Sequence, residues 1–170
     1  MLDLVESRSP TLGSGRLVCV DGPAGSGKTT LAAALHDLSP GSVVVHLDEL
    51  LEGWGGLAGV DQRLDPLLLP LARGVAGRYE RYDWIAGRFA EWVPIPPTPL
   101  LVLEGVGSGS LRHALLCTVL VWVEVDDSLR LHRGMERDGE QMRPHWEQWM
   151  RDERAHFVDQ DTRARADVVV

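Results

Sequence analysis

The sequence predicts a doubly wound α/β domain built on a parallel sheet of five strands. Two observations carry this expectation. Five short runs, at 16–21, 42–47, 100–105, 117–125 and 166–170, are almost continuously apolar, as strands buried on both faces are. Stretches with helical composition alternate with them, so each strand returns to the sheet through a helix that covers one face.

The elements follow in order. Residues 1–15 are expected as a loose lead-in, and 16–170 as a single domain. RLVCVD (16–21) is a β-branched run that stops at a glycine, the first strand. KTTLAAALHDL (28–38) is rich in alanine and leucine and ends before Ser39-Pro40-Gly41, a helix with a clear stop. SVVVHL (42–47) is the second strand. Segment 61–74 has helical spacing but carries Pro66 and Pro70, so it is expected as a broken helix. YDWIAGRFAEW (82–92) is expected to be helical, and VPIPPTP (93–99) to be a proline-rich connector. LLVLEG (100–105) and CTVLVWVEV (117–125) are the third and fourth strands. SLRLHRGMERDG (128–139) and PHWEQWMRDERAHF (144–157) are helices, the second with Pro144 at a favourable first-turn position. ADVVV (166–170) is the fifth strand.

Length and composition narrow the function. With 170 residues, 44% of them apolar, the chain is large enough to bury a core. A net charge of −8 argues against non-specific binding of nucleic acid and against docking on an anionic membrane. Cys19 and Cys117 lie in apolar runs and are expected as small core residues, with neither a disulfide framework nor a zinc site. The start lacks the basic and apolar regions of a signal peptide, and no stretch reaches the ~18–20 apolar residues of a membrane span. A cytoplasmic protein is expected.

The chemistry begins at GPAGSGKTT, Gly22–Thr30. It fits G-x-x-x-x-G-K-[ST] between a strand and a helix, the context a phosphate-binding loop requires. Glycines let backbone N–H groups converge into an anion nest, and the helix N-terminus adds its dipole. The expected nucleotide contacts are Gly22, Ala24, Gly25, Ser26, Gly27, Lys28, Thr29 and Thr30. Lys28 can reach the terminal phosphates, and the Thr29 hydroxyl can bind Mg²⁺. Lys28 is the only lysine; every other basic side chain among the Lys and Arg is arginine. A compact ammonium is retained where a point charge fits between phosphate oxygens.

Three further groups belong to this edge of the sheet. Asp48 follows the second strand and can take a proton from an acceptor hydroxyl, with Glu49 as the fallback. Glu104 ends the third strand and can hold Mg²⁺, directly or through water. Arg130, Arg133 and Arg137 share one helical face; Arg133 and Arg137 in particular can neutralise charge on a transferring phosphoryl group.

Taken together, GPAGSGKTT, HLDEL, LLVLEGV, DDSLRLHRGMERD and RYDW resemble the uridine kinase-like branch of the P-loop nucleoside kinases, over about residues 16–170. The resemblance implies a P-loop kinase sheet with strand order 2-3-1-4-5. It implies Asp48 as general base, Glu104 as a magnesium ligand, and an acceptor pocket lined by Tyr82, Asp83 and Trp84. Trp54 and Arg88, in the neighbouring segments, are further candidates for acceptor contact. ATP, Mg²⁺ and a small-molecule hydroxyl acceptor are the expected partners. The acceptor is a nucleoside or nucleoside-like compound, with a sugar, a vitamin precursor or an antibiotic as alternatives. A regulatory ATPase is the reading from another class. The segment after RYDW departs from the family, because no histidine occurs between His46 and His113.

Overall fold

The computed structural model describes all 170 residues. The chain opens with helix α1 (Leu2–Ser7) rather than a loose lead-in. Val5 of α1 is buried, and Arg8 ties the segment to the far strands through Thr118 O (2.7 Å) and Asp167 (2.6 Å). Strand β1 (Arg16–Asp21) and helix α2 (Lys28–Asp37) follow, then β2 (Val43–His46). Two 3₁₀ turns, Leu47–Glu49 and Gly53–Gly59, lead into α3 (Val60–Arg63) and α4 (Asp65–Ala72). The expected helix break falls between α3 and α4, with Pro66 in the first turn of α4.

Residues 77–95 form an antiparallel hairpin of β3 (Gly77–Asp83) and β4 (Arg88–Ile95), where 82–92 were expected to be helical. Asp83 decides it locally. Its carboxylate accepts the N–H groups of Ile85 and Ala86, both at 2.9 Å, and its carbonyl accepts Gly87 N–H, with Gly87 at φ 65°. That turn reverses the chain, and cross-strand aromatic contacts such as Tyr82–Phe89 (5.1 Å between centroids) outweigh the weak helical spacing.

Strands β5 (Leu100–Glu104) and β6 (Val119–Trp122) bracket a 3₁₀ turn at Leu111–Leu116. Helices α5 (Asp127–Asp138), α6 (Arg143–Gln160) and α7 (Thr162–Arg165) precede β7 (Val168–Val169). The five-stranded sheet runs β2-β5-β1-β6-β7, all neighbours parallel. In chain numbering this is 2-5-1-6-7 rather than the expected 2-3-1-4-5, because the hairpin adds two strands before the run at 100–104.

Alternation along the strands divides the core in two. Leu17, Cys19, Leu101 and Leu103 face α3, α4, the hairpin and Trp149 of α6. Val18, Val20, Val102, Val119 and Val121 face Ala32 and Leu35 of α2 and Val5 of α1. With both faces covered, polar chemistry is left to the sheet's C-terminal edge.

Candidate active site

The glycine-rich loop leaves β1 at that edge. Gly22 has φ 138°, and a Cβ there would stand 2.1 Å from Val123 O, so only glycine fits against the neighbouring strand. Its N–H, expected at the nucleotide, donates instead to Asp21 Oδ1 (2.7 Å) and shapes the loop. Gly27, at φ 106°, is the N-cap of α2, and the loop closes around Lys28. Lys28 is 7% exposed, and its Nζ donates to Pro23 O (2.8 Å). Burial lowers its pKa, against the pull of Asp21, Glu104 and Asp48. Ala24 also departs from the expected role. Its N–H is taken by Glu153 Oε2 at 2.9 Å.

Two carboxylates stand across the loop. Glu104, at the end of β5 and 6% exposed, accepts the Thr29 hydroxyl at 3.2 Å, and His46 Nδ1 lies 2.5 Å from the same oxygen. Thr29 and Glu104 therefore present two hard oxygen donors to one point, a set suited to Mg²⁺. His46, the last residue of β2 and paired with Glu104 in the sheet register, is a positioning neighbour that sequence reading missed. Asp48 lies in the first 3₁₀ turn and lines the same cavity. Its side chain is open to solvent, yet the concave wall around it desolvates it enough to push its pKa up, with Lys28 pulling the other way. Glu49 is removed as a fallback base: it accepts the Tyr79 hydroxyl of the hairpin and does not line the cavity.

The arginine face of α5 divides by function. Arg130 is 2% exposed and pairs with Asp127 and Glu153, so it is structural. Arg133 Nη1 donates to Gly25 O (3.0 Å), and Arg137 faces the cavity while held by Asp138 at 2.8 and 3.1 Å. Trp146 Nε1 donates to the same Asp138 (2.8 Å), and Arg137 lies over the Trp146 ring at 5.6 Å.

The cavity has a volume of about 1300 Å³. Beyond the phosphate loop its wall is aromatic: Trp54, Trp84, Trp146 and Trp149 all line it. Trp54 is the hub. It stacks on His145 (5.7 Å, 22°) and meets the other three rings edge-on at 6.1–6.2 Å. Trp84, at the hairpin tip, is 45% exposed, and its indole N–H donates to Asp48 O (2.9 Å). The other residues expected here do not reach the cavity. Tyr82 packs behind Trp84 (5.5 Å) and Phe89, Asp83 is spent on the hairpin turn, and Arg88 is its exposed cross-strand partner. Trp146 and Trp149 are buried and also line the cavity.

No family model and no curated protein sequence matches this chain. Solved structures do. A possible uridine kinase from Bacillus stearothermophilus is 18% identical, with a TM-score of 0.62 over 91% of this chain and 88% of that one. A candidate fructose transport system kinase from a Silicibacter species is 17% identical, with a TM-score of 0.65 over 99% and 96%. The chain therefore shares the fold of these two structures.

Proposed function

We propose that the protein is an ATP-dependent kinase that transfers the γ-phosphate to the hydroxyl of a small molecule, a nucleoside or nucleoside-like compound. One observation carries this reading. Lys28, Thr29, Glu104 and Asp48 converge from three strand ends on one cavity of about 1300 Å³, whose wall beyond Asp48 is aromatic. The names of the two structural neighbours, a uridine kinase and a fructose transport system kinase, agree with a hydroxyl acceptor.

The roles follow from position. The N–H groups of the loop over Gly25–Thr30 and the Lys28 ammonium hold the triphosphate. Thr29 and Glu104 would hold Mg²⁺, which when bound screens the charge of the phosphate oxygens. Asp48 accepts the proton as the acceptor oxygen bonds to the γ-phosphorus and the bond to the bridging oxygen of ADP breaks. Arg133 and Arg137 stabilise the charge on the transferring group. No covalent intermediate is needed; catalysis rests on placement and charge.

The test is an ATP-consumption screen with nucleosides, sugars, vitamin precursors and hydroxylated antibiotics, with the phosphorylated product identified by mass spectrometry. Product from a nucleoside-like alcohol is the expected result. ADP release that no acceptor stimulates would instead mark a regulatory ATPase.

A further inference from the structure

Helix α6 buries three residues, Trp146, Trp149 and Glu153. Their spacing of three and four puts them on one face. The two tryptophans fill that face as apolar side chains do. Glu153 is an acid at 1% exposure, where helical periodicity calls for an apolar residue. Burying ionised groups carries a desolvation penalty, and well-packed apolar side chains often replace buried ion pairs without loss. Packing alone does not account for an acid at this place.

Its contacts do. Oε2 accepts the Ala24 N–H at 2.9 Å, and Oε1 accepts Arg130 Nη1. Arg130 also bonds Asp127 (2.8 Å), and its backbone packs so closely on Gly25 that a Cβ there would meet it at 3.0 Å. The carboxylate thus grips the third residue of the phosphate loop from below, and its counter-ion braces the fourth. A loop with three glycines in six residues is costly to order, and an anchor fixed before the ligand arrives reduces that cost.

We infer that Glu153 is a positioning residue for the phosphate loop. Through the Ala24 N–H it holds the nest in its triphosphate-binding shape. Because Trp146 and Trp149 of the same helix line the acceptor chamber, it also ties the two halves of the cavity to one rigid element. This rests on the reading of Gly22–Thr30 as a triphosphate nest.

Calorimetric titration with ATP and Mg²⁺, paired with thermal melting, tests it. The double variant R130M/E153L exchanges the ion pair for apolar side chains and removes the acceptor from Ala24. It is expected to melt near the wild type yet bind ATP about 10-fold more weakly, since small misplacements of a binding group are costly. Glu153→Gln keeps an oxygen for Ala24 and is expected to stay within about threefold of the wild-type affinity. A double variant with wild-type melting and wild-type affinity overturns the inference and leaves the kinase reading intact. A wild type that does not bind ATP overturns the nest reading and the inference with it. Should the double variant not fold, hydrogen exchange at the Ala24 amide of the wild type decides. Protection that persists in Glu153→Gln supports the anchor; exchange at the rate of an open loop overturns it.

Discussion

The two halves of the cavity are built by different physics. The half proposed for the nucleotide is one contiguous stretch, Gly25–Thr30, which offers its backbone and the chain's single ammonium, with carboxylates delivered by neighbouring strand ends. The acceptor half has no contiguous segment. Its wall is assembled from a 3₁₀ turn (Trp54), a hairpin tip (Trp84) and one helix (Trp146, Trp149). The first half is polar, local and specified by backbone geometry. The second is apolar, assembled at long range and specified by side-chain packing. A chain can therefore keep its phosphate chemistry while its acceptor pocket changes.

Substitutions that separate the halves sharpen this contrast. Asp48→Asn should have the largest effect, a loss of about 10²–10⁴ in kcat with ATP affinity retained, read by steady-state kinetics and calorimetry. If transfer continues near the wild-type rate, Asp48 is not the base. Next, Lys28→Ala should weaken ATP binding on the order of 10- to 100-fold, because a charge-assisted contact to phosphate is lost. Unchanged affinity would remove the basis of the polar half. Trp84→Ala should lower kcat/KM for the acceptor by about 5- to 10-fold and leave ATP affinity alone. An equal fall in ATP affinity would show that the halves are not separable.

The acid side of the pH profile is a finer probe of the same boundary. Enclosure raises the Asp48 pKa above its ordinary value, so the base form is lost at a higher pH than for an open aspartate. Transfer should fall as pH drops through that raised value, and Asp48→Asn should lack this limb. The smallest effect is expected at Asp83→Ala, which loses the hairpin turn bonds and a slight part of the stability in denaturant unfolding, with ATP affinity unchanged.

The parts legible in the sequence were those with a local cause. Continuous apolar runs marked the sheet strands, and the glycine-lysine spacing marked the nest. Asp48 and Glu104 were legible as neighbours in one cavity because strand ends in a parallel sheet share one edge. Where the reading failed, the deciding partner lay far away in the chain. Arg130 has the helical spacing of Arg133 and Arg137, but Glu153, 23 residues on, takes it into the core. Glu49 looks as available as Asp48 until Tyr79, 30 residues on, binds it. Ala24 sits within the nest, yet its N–H is turned to a side chain 129 residues away. The hairpin is the exception. An aspartate four residues before a glycine, between aromatic strands, was a turn signal present in the sequence and outweighed by apparent helical spacing.

By itself, then, the sequence determined the layered sheet, the glycine-rich loop between β1 and α2 and the sheet-edge position of Asp48 and Glu104, because strand burial, glycine geometry and sheet-edge position are properties of short segments. Only the tertiary structure decided which arginines face the cavity, which acids line it, and which tryptophans wall it. Those outcomes depend on which side chain reaches a given group first, and that is set by packing between segments that the sequence keeps apart.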